Sequence, residues 1–458
     1  MLQAPPTSLT PGSLTPDTAL DAVLPDAEGP TSAPPRSPRD IPPSHLASYK
    51  DALLACGDGS SPTQWRKFQD CLDDIINATS LAVKLPPRDS AVLPNNILAS
   101  IKDNPTELQR LYRKNRRRAV RLLVEGESPR CSLPRADIKE FFSCSSTSTS
   151  IDDSLYDNTV PAPAPVNWTP FTSAEVATRL RACENTAAGP DRITYQHWRS
   201  VDPEGDILCT IFNVCLAARR VPDSWRQSSS VLIYKKGDPR LLENWRPIAL
   251  SATIAKLFTG CIAKRLTQWI LSNDVLSHCQ KGFLPFDGVF ENNFILQQRF
   301  LHARRSGKDL CIASLDLANA FGSVSHNAIL TALRTAGTRD HLADIIRSLY
   351  HEASTCFITN AGLTDPISIT SGVRQGCPLS GLLFNLAIHP IIRSIQGQDP
   401  RHRVLAYADD LLLMAETPDE LQTSLDVACT LSAKIALRFN PEKCFSLHLS
   451  GARPTGTR

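Results

Sequence analysis

The chain is poor in several features that would assign a class at once. Its 14 cysteines contain no Cys-x-x-Cys pair, and no Cys/His group has zinc-finger spacing. Scattered thiols without a framework fit reduced cysteines in an intracellular protein. The start, MLQAPPTSL, lacks the basic region and apolar stretch of a secretory signal, so secretion is not expected. No apolar run approaches the roughly 18 residues that span a bilayer, so no membrane partner is expected either. A net charge of +3 is close to balance, so any nucleic-acid binding must come from local charge. What is present is an ordinary globular mixture, 42% hydrophobic and 21% charged. The length allows about two to four domains with a sizeable core.

Residues 1–45 hold 11 prolines among Ser, Thr and Ala, which predicts a disordered, Pro-rich linker. Residues 46–142 read as a helical, basic N-terminal extension. Trp65, Phe68, Cys71 and Leu72 fall at helical spacing, and Asp73-Asp74 reads as a solvated face beside them. Further on, Leu108, Leu111, Tyr112, Ala119, Leu122 and Leu123 make one apolar stripe. Arg110, Arg113, Lys114, Arg116, Arg117, Arg118 and Arg121 crowd the remaining surface. A charge run is usually a solvated face, but these cations repel one another and a phosphate backbone would relieve them. Nucleic-acid contact is therefore expected, with a nuclear-import signal as a compatible second use. Residues 143–166, rich in Ser, Thr and Pro, read as a second linker.

Residues 167–458 carry the chemistry. Thr172-Ser173-Ala174-Glu175 is a capping box opening a helix. A strand over Ser229–Tyr234 runs into Lys235-Lys236-Gly237-Asp238, and the chain returns through Asn244-Trp245-Arg246-Pro247. A hairpin with a basic tip can close over phosphates, or it can be an ordinary exposed hairpin. Leu310–Leu317 reads as a strand buried on both faces, with Asp316 near its end. An acid there needs a positive partner, and none is adjacent in sequence, so a metal is the economical guess. Ser371-Gly372-Val373-Arg374-Gln375-Gly376 is a Gly-containing loop opening a helix, where small residues let a ligand approach the backbone. In Ala406-Tyr407-Ala408-Asp409-Asp410, two carboxylates sit at a tight turn between apolar runs, a hairpin signature. A bare Asp-Asp pair is more often a solvated turn. If the strand and this hairpin lie side by side, however, three carboxylates converge. That is the arrangement for two-metal nucleotidyl transfer, with hard oxygen ligands suited to Mg²⁺.

At this point the chain resembles the reverse transcriptases of non-LTR retrotransposons, on the branch whose elements carry a restriction-like endonuclease. The resemblance runs from about Ala187 to Leu449. It rests on AAGPDRIT, NWRPIALS, QKGFLPFDG, SLDLANAFGSVSH, SGVRQGCPLSGLLFN, AYADDLLL and RFNPEKC in that order. It implies an α+β polymerase right hand, fingers and palm, with an antiparallel palm sheet backed by helices and preceded by the helical N-terminal extension. The implied activity is RNA-directed DNA polymerase, using two Mg²⁺ ions (or Mn²⁺), dNTPs, template RNA and a DNA primer, in the nucleus or otherwise the cytoplasm. By resemblance, Asp316 and Asp409 bind both metals and Asp410 assists. Arg246, with Lys235 or Lys236, contacts the triphosphate. Phe321 stands under the sugar as a gate, Gln375 and Gly376 line the nucleotide site, and Lys443 is a candidate proton donor to pyrophosphate.

Asn319 stands where the family usually has Lys, Gly322 where it has Asp, Gly381 where it has Pro, and Phe286 where it has Gly. None of these removes a metal ligand. Thumb and endonuclease segments, which family members carry, are expected only in a full-length element, so the chain reads as a fragment. The rival readings are an RNA virus polymerase, a group II intron maturase, and a catalytically inactive nucleic-acid-binding remnant.

Overall fold

A computed structural model describes residues 46–85, 106, 109, 112, 113, 131–144 and 151–451. The Pro-rich start lies outside the described residues. So does the basic stretch, apart from the exposed Tyr112 and Arg113 and two neighbours.

The N-terminal helices are α1 (Tyr49–Ala55), α2 (Pro62–Ala82) and α3 (Arg135–Cys144). Ser61 caps α2 in a full capping box with Gln64, and Pro62 takes the first turn, where its missing N–H costs nothing. Trp65, Phe68, Leu72 and Ile75 are buried along one stripe, and Asp73 and Asp74 are exposed. This stripe belongs to the same hydrophobic core as the polymerase-like part. The Arg220 guanidinium lies 4.2 Å over the Trp65 ring and donates to Gly59 O at 3.0 Å. Helix α3 stacks Phe142 on Phe357, 4.5 Å between ring centroids. The described helices of the extension thus pack directly onto the rest of the chain. The predicted linker needs correction from residue 151 on. Leu155 and Tyr156 are buried, and the Tyr156 hydroxyl donates to Ala387 O at 3.0 Å. Its Ser/Thr-rich composition hid these two apolar anchors.

Next come α4 (Ser173–Ala182), α5 (Tyr195–Val201) and α6 (Asp206–Ala218). Thr172 caps α4 as expected, but Glu175 does not close the box. Its carboxylate instead holds Arg265 through bonds of 2.9 and 2.7 Å. Strands β1 (Gln227–Tyr234) and β2 (Trp245–Ser251) form the expected antiparallel hairpin, Tyr234 facing Trp245. β1 also runs parallel to β4 (Ser354–Thr359), which carries the short β5 (Gly362–Leu363) and β6 (Ile367–Ser368).

The second sheet positions the site. Its order is β7 (Val404–Tyr407), β8 (Asp410–Ala415), β3 (Leu310–Asp316), β9 (Phe445–Leu449), antiparallel throughout. Alternation assigns its faces. Cys311, Ala313, Leu315, Leu411, Leu413 and Ala415 enter the main core. Leu310, Ile312, Leu405 and Met414 face the other way and pack with Ala303. Helices α7 (Thr253–Ser272), α8 (Gly288–Ser306), α9 (Ala320–Ser323), α10 (His326–Ala336), α11 (Arg339–Tyr350), α12 (Ser380–Gln396) and α13 (Pro418–Lys434) complete the chain. Among the described residues, no helix is long and apolar enough to cross a membrane.

Candidate active site

Strand register brings two acids together. Asp316, the last residue of β3, pairs with Asp410, the first of β8. Opposite residues of an antiparallel pair share a face, so both carboxylates continue the row begun by Leu310 and Ile312. Asp409 is the second residue of the two-residue turn between β7 and β8. Ala408 precedes it with φ +55°, a left-handed conformation that costs a non-glycine residue about 1 kcal/mol or more. Burial raises the Asp409 carboxyl above its usual range, with Asp410 and Asp316 adding to the rise and Arg246 opposing it. Burial and then Asp316 raise Asp410 in the same way. Three mutually repelling oxygen donors of this kind are the donor set that hard divalent cations relieve. The residues therefore fit such ions.

The positive partner missing from the sequence around Asp316 arrives from a distance. Lys443 Nζ lies 3.5 Å from Asp316 Oδ2. Lys443 ends a short 3₁₀ turn capped by Asn440, whose own N–H donates to Asp316 O at 2.8 Å. Of the two tip lysines, Lys235 is the one tied to the acids. Loss of surrounding water lowers its ammonium below the usual range. Arg246 and Lys443 add to this, and Asp316 and Asp409 oppose it. Lys235 and Lys236 are both exposed at this tip. Arg246 is exposed on β2, opposite Ile233.

Phe321 is half-buried between Phe384, stacked at 4.6 Å, and Phe283, edge-on at 5.8 Å. The Gln375 carbonyl accepts from Ala249 N at 2.9 Å, so this loop is stitched to β2. Gly376 has φ +112°, and a Cβ there would lie 2.9 Å from Ala249 O. Arg374 beside them is buried and donates to Trp225 O at 2.8 Å and to Arg226 O. The two departures in the turn after β3 belong together. Asn319 is left-handed, and a Cβ at Gly322 would lie 2.6 Å from its Nδ2. Of the seven basic residues singled out in the N-terminal stretch, only Arg113 is described, and it is exposed.

Sequence reading missed the residue that holds the acidic turn. Gln280 is 1% exposed. Its Nε2 donates to Ala408 O at 3.1 Å, and its Oε1 accepts from Ala408 N and Gly282 N, each at 2.8 Å. One amide thus fixes both backbone groups of the strained residue before Asp409. A buried Gln inside QKGF was the available signal, but its partner is far away in sequence.

The family description "Reverse transcriptase (RNA-dependent DNA polymerase)" matches residues 233–454. The chain is similar to Pol polyproteins of retrotransposable elements. It is 28% identical to that of the type-2 element R2DM of Drosophila melanogaster, over 80% of this chain and 34% of the relative. It is 32% identical to that of a type-1 element R2 of Nasonia vitripennis, over 62% and 27%. It is 34% identical to that of an R2 element of Bradysia coprophila, over 62% and 32%. The chain thus spans about a third of the length of these relatives.

Proposed function

We propose that the chain, which matches the reverse transcriptase description through residues 233–454, is a reverse transcriptase of the non-LTR retrotransposon class and catalyses RNA-directed DNA synthesis. The observation that carries this reading is the meeting of Asp316, Asp409 and Asp410 beneath Lys235, Arg246 and Lys443.

The reaction joins a primer 3′-oxygen to the α-phosphorus of a dNTP, breaks the bond to the β-phosphate and releases pyrophosphate. Two divalent ions, Mg²⁺ or Mn²⁺, held by Asp316, Asp409 and Asp410 would acidify the 3′-hydroxyl and offset charge on the leaving group. Lys235 supplies a point charge and Arg246 a planar fork for the triphosphate oxygens. Lys443, which lies against Asp316, delivers a proton to the departing pyrophosphate. Phe321, backed by Phe384, presents a wall to the sugar, and Gln375 and Gly376 line the base side. The template is RNA, the primer is DNA, and the compartment is the nucleus. The element belongs to the restriction-like-endonuclease branch.

Primer extension on RNA and DNA templates, with Mg²⁺ or Mn²⁺, tests the reading. Asp316→Ala and Asp409→Ala are expected to abolish templated addition without changing the unfolding transition. Absence of templated addition by the unaltered protein would refute the reading. So would addition within about tenfold of it by either variant.

A further inference from the structure

A second group of donor atoms lies behind the acidic turn. His278 and Cys279 immediately precede Gln280, and His402 precedes β7. One imidazole nitrogen of each histidine and the Cys279 Sγ all lie within 4.8 Å of one another. Sγ stands 3.6 Å from His278 Nε2, and the two imidazole rings meet edge to face at 4.9 Å. Tetrahedral zinc, with bonds of about 2.3 Å to sulfur and 2.0–2.1 Å to nitrogen, needs S···N edges of about 3.6 Å and an N···N edge of about 3.3 Å. One edge is already that length. The others require closure by no more than about 1.5 Å, within reach of a rotation of the exposed His278.

The backbones carrying these donors are already joined. Ala406 N donates to Cys279 O and Lys281 N to Ala406 O, each at 3.0 Å. Cys279 is fully buried, and its thiol donates to Gln396 Oε1 at 3.2 Å. Arg403 N donates to the same oxygen at 3.0 Å. Lys281, the cation beside the group, is paired with Glu291 at 2.7 Å.

We propose that His278, Cys279 and His402 bind a borderline-soft divalent cation of the zinc class, at a site separate from the three carboxylates. A thiolate and two imidazoles select such an ion over Mg²⁺, which takes oxygen. Bound there, it ties the segment carrying Gln280 and Gly282 to the root of β7 and so stiffens the support of Asp409.

The test is titration of the purified protein with Co²⁺, then Zn²⁺, in excess Mg²⁺. One cobalt per chain is expected, with tetrahedral d–d bands and a thiolate-to-cobalt charge-transfer band that zinc removes. Zinc is expected to raise the unfolding temperature. Cys279→Ser should erase the charge-transfer band, and His402→Gln or the exposed His278→Gln should weaken binding by at least about tenfold. Asp409→Asn, at the carboxylate site, should leave the band unchanged, which separates this result from the polymerase reading. Absence of the band would overturn the proposal. A band that survives unaltered in the folded His278→Gln and His402→Gln proteins would overturn it equally, because it would come from other cysteines.

Discussion

Substituting Gly282 by alanine measures how tightly the acidic turn is held. A Cβ built at Gly282 falls 2.3 Å from Ala408 N, 2.9 Å from its Cα and 3.0 Å from its Cβ, against ordinary contacts of 3.4–4 Å. About 1 Å must therefore be taken up by backbone movement. The Gly282 side resists, because its carbonyl accepts from Asn385 Nδ2 at 2.6 Å and Asn385 is fully buried on α12. Ala408 is held through the Gln280 side chain, which can shift with it, so the turn yields and Asp409 moves with Ala408. Misplacement of a reacting group by about 1 Å costs about a hundredfold in rate. Gly282→Ala should therefore lower single-nucleotide addition by about that factor. Overpacking of this kind typically costs about 1–3 kcal/mol of stability, so the variant should still fold. The assay is rapid-quench addition of one dNTP at saturating primer–template, beside urea unfolding of both proteins. A rate within about threefold of the parent, in a folded variant, would refute the claim that this contact positions Asp409.

Three other outcomes rest on particular residues. Burial, with Arg393 adding to it, lowers His389 from 6.5 to about 4, and its Nδ1 accepts from Ser277 N at 3.2 Å. The stability tied to its neutral form is present above about pH 6.5 and is lost as pH falls toward 4. Its size is at most roughly 3 kcal/mol, and urea unfolding at several pH values should show a shallower acid loss in His389→Asn. Phe321→Ala should raise ribonucleotide over deoxynucleotide incorporation by about tenfold or more, and an unchanged ratio would make Phe321 core packing alone. Replacing Arg116, Arg117 and Arg118 by Gln should flatten the salt dependence of RNA binding by roughly 0.7–0.9 in log–log slope per lost phosphate contact. Filter binding from low to high salt measures that slope, and no change would return the segment to a solvated face.

The strands and helices that carry the site were legible in the sequence because their signals are local. Apolar runs around Asp409-Asp410 marked the hairpin and Leu310–Leu317 marked the buried strand, each close to its observed bounds. The basic tip after β1 was equally plain. Local signals misled where composition hides burial, as at Leu155 and Tyr156 within a Ser/Thr-rich stretch. Tertiary structure alone decided the register that sets Asp316 opposite Asp410, the choice of Lys235 as the lysine coupled to the acids, and the arrival of Lys443 as the missing cation. It alone placed the Gln280 amide on Ala408 and His402 beside His278 and Cys279. Those pairings join segments far apart in the chain, so no periodicity records them. A polar side chain reads as solvated until the fold removes its water and leaves a single partner within hydrogen-bonding reach.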